Sequence, residues 1–260
     1  MSDHDSNHIT AVTDGFVRTV TFNRPEKKNA LTQAMYLRLT DELSAAADDP
    51  GVRVVVFTGT GDTYTSGNDV SDFLRVKELR GRLPAFDFIE ALPRFPKPLL
   101  AAVNGLAVGV GTTMLLHCDM VFASPSAVFS VPFARLGLCP EAGSSALLPR
   151  LAGMQRASEL LLLGEPFDAE RAREIGLVNE IVPGSELSAK VAERAAAVAK
   201  LPPASVRATK ELIRASVGAG LAEVMDRESR VFQERLASPE AAEAATAFLE
   251  KRKPDFSAFE

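Results

Sequence analysis

Few side chains in this sequence are placed to do chemistry. Of its three histidines, His4 and His8 lie in a polar leading segment and His117 stands alone on an apolar stretch. That spacing offers no metal cluster, and a lone histidine on an apolar face reads as a satisfied core residue. The two cysteines, Cys118 and Cys139, sit among apolar neighbours and read as reduced, structural thiols. No G-x-S-x-G elbow and no P-loop is present. Gly109-Val110-Gly111 lacks the third glycine and the downstream acid of a dinucleotide fingerprint. What remains is backbone. "TSGND" (65–69) and "NGLAVGVG" (104–111) are small-residue turns, each at the end of a β-branched run and each leading into helical sequence. Glycine permits unusual dihedrals and close approach, so such turns can present N–H groups to a ligand. Two N–H groups converging on one point stabilise a developing oxyanion. Taken singly, each turn is equally a tight connection. "LCPEAGSS" adds Glu141, which on its residues alone is either a solvated loop acid or a base.

These turns need a scaffold. The 260 residues are 46% apolar and 24% charged, enough for a full core without disulfides. A net charge of −5 gives no general affinity for nucleic acid or acidic membranes. Pro98 to Cys118 carries no formal charge and is long enough to suggest a membrane span. Asn104, Gly105, Gly109, Gly111, Thr112 and Thr113 interrupt it, so a buried strand, a glycine loop and a short helix fit better. "ITAVT" and "FVRTVTF" flank Asp14-Gly15, a hairpin signal. Thr32 can cap a helix whose Met35, Leu39, Leu43 and Ala46 share one face. "VRVVVFTG" and "PLLAAVNG" read as strands buried on both faces, "MVFAS" and "AVFSVP" as short strands, and residues 70 to 92 as a helical stretch. Beyond about residue 150 the periodicity turns helical, from "QRASELLLLG" to "GLAEVMDRESRVFQERL". The fold class is α/β. The last apolar stripe has to pack on the core or on another subunit.

Several segments carry a resemblance, in order along the chain. "RPEKKNALT", "VVVFTGTGDTYTSGND", "KPLLAAVNGLAVGVGTTMLLHCDMVFAS", "FSVPFARLGLCPEAGSSALLPRLAG" and "AREIGLVNEIVP" resemble the successive signatures of the crotonase superfamily, the enoyl-CoA hydratases and isomerases. The likeness runs from about residue 9 to at least residue 236. It implies a spiral of ββα turns over residues 1–200 and a helical C-terminal section over 201–260 that serves oligomerisation and site closure. It implies a homotrimer or hexamer, an acyl-CoA thioester substrate, and neither a separate cofactor nor a metal. Carried over residue by residue, it makes the backbone N–H groups of Ser66 and Val110 the oxyanion hole. Lys28, Ala30, Gly67, Asn68, Asp69, Gly109, Gly111 and Phe133 fall at substrate-binding positions. Asp69 is expected to cap the next helix as well. Arg24, Lys27 and Lys28 are candidates for the phosphates of coenzyme A, or else a solvated basic loop.

The resemblance leaves the reaction open. Hydratases of the superfamily carry two glutamates, at the positions that Thr113 and Phe133 occupy here. Adding water needs one group to activate it and another to handle the second proton, which threonine and phenylalanine cannot supply. Glu141 in "PEAGSS" is similar instead to the single catalytic glutamate of the peroxisomal-type Δ3,Δ2-enoyl-CoA isomerases, a branch that also shares the "TSGND" and "KLPP" stretches. The expectation is therefore an isomerase with Glu141 as proton shuttle, its carboxyl desolvated by Phe133, Leu136 and Leu138. An enoyl-CoA hydratase, another CoA-thioester reaction, or a non-catalytic acyl-CoA-binding homologue are the alternatives. The polar, acidic leading residues, the unpaired cysteines and a C-terminal "KPDFSAFE" without a peroxisomal address lead us to expect a cytoplasmic protein.

Overall fold

Ile9–Asp14 (β1) and Val17–Phe22 (β2) form the expected hairpin, antiparallel in the register Asp14↔Val17. The computed structural model describes residues 8–71, 83–218, 220–257 and 259. After the hairpin the chain alternates between two sheets. Val54–Gly59 (β3) enters a large sheet and Thr63–Thr65 (β4) a small one. Leu99–Val103 (β5) and Leu106–Val108 (β6) repeat the step. So do Met120–Ala123 (β7) and Val128–Ser130 (β8). Phe167–Asp168 (β9) and Glu180–Ile181 (β10) finish the series. The large sheet runs β1-β2-β3-β5-β7-β10 and the small one β4-β6-β8-β9. Strands β2, β3, β5, β7 and β10 are parallel neighbours. Each turn thus adds a strand to both sheets before a helix brings the chain back, the ββα spiral of an α/β protein.

Helices cover both faces of the large sheet. On one face Val55, Phe57, Leu99, Ala101 and Val121 join the main core with Met35, Tyr36, Leu39, Leu43 and Ala46 of Gln33–Asp48 (α1). Alternate residues Val54, Val56, Leu100, Ala102 and Phe122 meet Leu187, Val191, Ala195 and Ala199 of Gly184–Ala199 (α7). This two-sided burial is why β3 and β5 carry unbroken apolar runs. Thr32 caps α1, its hydroxyl accepting from Met35 N–H at 3.3 Å. Lys97 Nζ donates to the carbonyls of Ala46 and Asp49 at the other end.

The remaining helices are Pro84–Arg94 (α2), Val110–Thr113 (α3), Ser144–Ala152 (α4), Met154–Leu163 (α5) and Ala169–Glu174 (α6). Beyond α7 come Pro203–Gly218 (α8), Leu221–Leu236 (α9) and Pro239–Leu249 (α10). Of the helical stretch expected at 70–92, residues 72–82 lie outside the described residues. Among the described residues no helix is long and apolar enough to cross a membrane. The uncharged stretch 98–118 resolves into β5, β6 and α3. Strand β6 lies within what reads from sequence as a glycine loop, and β4 runs up to the first turn, sharing only Thr65 with it; neither is read as a strand, because three residues are too few to show an alternation. Helix α10 is a further element that the sequence reading leaves unplaced.

Candidate active site

The first turn is defined by where its amide protons go. Thr65 Oγ1 donates to Asn29 O at 2.7 Å and accepts Gly67 N–H at 3.1 Å. Ser66 N–H donates to Lys28 O at 3.0 Å. Leu31 forms an isolated parallel bridge with Asn68, donating to Gly67 O at 2.8 Å and accepting Asp69 N–H at 2.9 Å. A parallel bridge of this kind uses the neighbours of Asn68, so Asn68 N–H faces away and has no acceptor among the described residues. Asn29, buried and in a left-handed conformation (φ 54°), ties the loop to this turn by donating to the carbonyls of Thr60, Thr63 and Tyr64.

The second turn brings a second free amide. Gly109 N–H donates to Ser130 O, and Gly109 O accepts from Thr112 and Thr113 at 2.9 Å each. Val110, the first residue of α3, donates its N–H to nothing among the described residues. The two turns touch through their backbones. A Cβ on Gly67 would stand 2.6 Å from Val108 O, and one on Gly111 2.9 Å from Thr65 O. Glycine is required at both positions by this approach, and at Gly67 also by its φ of +84°.

Glu141 sits in the turn before α4. Its carbonyl accepts Ser144 N–H at 3.0 Å and the Ser144 hydroxyl at 2.6 Å. Ala142 and Gly143 follow in left-handed conformations, φ 56° and 71°, which reverse the chain and turn the Glu141 side chain inward. The side chain is 4% exposed, not solvated. Thr113 donates its hydroxyl to Glu141 Oε1, and Oε2 has no partner among the described residues. The carboxyl lines a cavity of about 30 Å³ together with Asn68, Phe86, Ile89, Phe232 and Leu236. Burial pushes its pKa up to about 8; the Thr113 hydroxyl pulls the other way and the Glu228 charge adds to the rise.

Sequence reasoning did not single out Glu228, on α9. It is 7% exposed and accepts Gly143 N–H at 2.6 Å, Ser145 N–H at 2.9 Å and the Ser145 hydroxyl. It thereby satisfies amides at the start of α4. Its own pKa is raised by burial, against the pull of those hydrogen bonds. Its one sequence signal is an acid at an inward position of an amphipathic helix. His117 Nε2 donates to Ala142 O at 2.7 Å, which fixes the tautomer because a carbonyl can only accept. Burial lowers the His117 pKa to about 4, so the ring is neutral near pH 7.

The structure sorts the other expected residues. Ser66 N–H is spent on Lys28 O, so the free amide in this turn belongs to Asn68; the correction is a shift of two residues along the strand-to-helix turn. Val110, Gly67, Gly109 and Gly111 lie where the two turns meet. Phe133 is packed in the core, 4% exposed, and does not line the Glu141 cavity. Asp69 accepts Ser71 N–H at 3.0 Å, as a cap does, and pairs with Arg24 at 2.6 Å. Arg24 is thus committed to Asp69 and to Ala30 O, whereas Lys27 and Lys28 are exposed.

Comparison with known proteins identifies the family. The family described as enoyl-CoA hydratase/isomerase matches residues 13–258. Enoyl-CoA delta isomerase 2 of Rattus norvegicus is 40% identical over 256 residues, covering 96% of this chain, which spans 65% of the rat protein's length. 2,3-Dehydroadipyl-CoA hydratase of Escherichia coli is 36% identical, covering 92% of this chain and 94% of its own. A crystal structure of an enoyl-CoA hydratase/isomerase from Pseudoalteromonas atlantica superposes with a TM-score of 0.92 at 43% identity, over 96% of this chain and all of that one. With two packed turns, two free amides and a buried glutamate on a ββα spiral, the chain belongs to the enoyl-CoA hydratase/isomerase family of the crotonase superfamily.

Proposed function

We propose that the protein is a Δ3,Δ2-enoyl-CoA isomerase in which Glu141 carries the proton. The observation that supports this most directly is the state of Glu141. Its Oε2 is buried and unpartnered beside the turn that holds a free amide, while both oxygens of the neighbouring carboxylate, Glu228, are taken by the α4 loop. Thr113 and Phe133 stand where hydratases of the superfamily carry their two glutamates.

The thioester oxygen of a 3-enoyl-CoA accepts from Asn68 N–H and Val110 N–H. Ionised Glu141 removes a proton from C2, and the electron pair moves into the thioester to give a dienolate whose charge rests on that oxygen. Losing one donor to such a charge costs about 3–4 kcal/mol of transition-state stabilisation. The proton, now on Glu141, returns at C4, the double bond settles between C2 and C3, and the carboxylate is regenerated. No atom is gained or lost, so one carboxylate suffices. Its raised pKa makes it a stronger base than an exposed glutamate. Exposed Lys27 and Lys28 are the cations we assign to the phosphates of coenzyme A.

The test is a spectrophotometric assay of one purified sample with 3-enoyl-CoA and with 2-enoyl-CoA. Isomerisation is expected to exceed hydration by about 100-fold or more, the scale of a missing acid–base group. Equal or faster hydration overturns the proposal in favour of the hydratase reading, which the Escherichia coli relative represents.

A further inference from the structure

The two oxygens of Glu141 are not equivalent. Oε1 is occupied by the Thr113 hydroxyl and Oε2 is unpartnered among the described residues. Thr113 lies on α3, three residues after Val110, so one short helix carries both an oxyanion amide and the hydroxyl that holds the carboxylate. On the other side of the loop, Glu228 accepts the amides of Gly143 and Ser145, two and four residues beyond Glu141. Proton transfer from C2 to C4 uses one carboxyl twice, first as base and then as acid. A carboxyl free to rotate presents either oxygen in either step. A carboxyl clamped at Oε1 presents the same oxygen both times.

We propose that Thr113 and Glu228 are positioning residues for Glu141: Thr113 occupies Oε1 so that Oε2 carries the proton between C2 and C4, and Glu228 fixes the loop from which Glu141 projects. The proposal rests on Glu141 being the proton carrier. The clamp persists through the cycle, because Oε1 remains an acceptor whether or not Oε2 holds a proton. Neither residue reacts with substrate. Their effects on Glu141 have opposite signs: the Thr113 hydroxyl favours the charged carboxylate and the Glu228 charge disfavours it. The other titratable groups near Glu141 are few. Asp69 lines the same cavity and is paired with Arg24. His117, behind the loop, is neutral. Burial pushes the Cys139 thiol up to about 11.

The experiment is steady-state isomerase kinetics against pH on the full chain, for Thr113→Val, Thr113→Ser, Glu228→Gln and Glu141→Gln, with a thermal melt on each. Thr113→Val keeps the shape without the donor and is expected to lower kcat by about tenfold or more at little change in KM, the loss of one hydrogen bond to a charged group. Thr113→Ser is expected to recover most of that loss. The ionisation that governs kcat is expected to move to higher pH in Thr113→Val and to lower pH in Glu228→Gln. A purely structural role for either residue moves the melt but not this ionisation in opposite directions. Wild-type kcat and an unshifted profile in Thr113→Val overturn the proposal, as does a shift of the same sign in both variants. If Glu228→Gln fails to fold, the Thr113 pair decides alone. Full activity in Glu141→Gln overturns the isomerase assignment itself; an inactive Glu141→Gln beside an unaffected Thr113→Val overturns only the clamp.

Discussion

Glu141 is held as an acid by burial and has to be a base to start the reaction. With its pKa raised to about 8, the ionised fraction grows as pH rises towards that value. Turnover is expected to climb from about pH 6, reach half its maximum near pH 8 and level above about pH 9, a profile that rate measurements with saturating 3-enoyl-CoA will trace. The same shift acts on stability. In the unfolded chain a glutamate titrates at about 4.3. Below that pH both states hold the proton and Glu141 costs nothing. As pH rises, the unfolded chain releases its proton first and the folded one only near 8, so stability falls across this window. The shift corresponds to a penalty on the order of a few kcal/mol at pH 8. Glu141→Gln removes the ionisation. It is expected to melt higher than the parent at pH 8, to converge with it near pH 4, and to lose about 100-fold or more in turnover. Calorimetry across pH checks the first part. A variant that melts lower than its parent at pH 8 would show that the site does not strain against its own charge.

Element-level organisation decides which amides remain free. Val110 opens α3, and the first position of a helix tolerates proline because its N–H has no intrahelical acceptor. Val110→Pro therefore deletes one amide with little effect on the helix. It is expected to lower kcat by roughly 100- to 1,000-fold while circular dichroism stays unchanged. Retained turnover would exclude Val110 from the oxyanion hole. Gly67→Ala makes the converse test of packing: its Cβ would press within 2.6 Å of Val108 O at a φ of +84°, so a loss of about 1–3 kcal/mol in denaturant unfolding is expected. The sequence makes both turns legible, since a β-branched run ending in small residues has to reverse sharply. It does not show which amide of "TSGND" points inward. That depends on Leu31, more than thirty residues earlier, bridging to Gly67 and Asp69 and so leaving Asn68 unused. Glu228 is hidden for the same reason: nothing local in α9 records that its carboxylate meets the start of α4. The strands β3 and β5 and the cap at Thr32 are local signals, and they read correctly. The three-residue strands β4 and β6 owe their pairing to neighbours in the spiral.

At the scale of the whole molecule, the C-terminal helices pack on the core, and Phe232 and Leu236 of α9 line the Glu141 cavity. Lys210 and Arg214 of α8 both grip Asp119, at 2.7 and 3.1 Å. Helix α9 supplies Glu228 to the Glu141 loop, and Phe232 packs edge-to-face on Phe86 of α2 with centroids 5.9 Å apart. Removing everything after residue 200 therefore strips a wall from the cavity and bares the core face beneath it. That truncation is expected to be inactive and insoluble; a soluble, active truncate would show that the helices only decorate the spiral. What the same helices leave uncovered points outward. Leu212 and Ile213 on α8 are 72% and 58% exposed, Leu162 and Leu163 on α5 72% and 52%, and Phe248 and Leu249 on α10 60% and 52%. Adjacent large apolar pairs on three helices are more than the scattered single residues a monomer exposes without consequence. Identical chains cover such surfaces best in a closed ring, where each copy offers one patch to its neighbour and none remains open. We expect a trimer, or a hexamer of two trimers, by light scattering at micromolar concentration. Replacing Leu162 and Leu163 together with glutamate is expected to shift the species towards monomer, since two buried charges in an apolar contact outweigh what the pair contributes. A wild-type chain that is already monomeric at that concentration would refute the assembly.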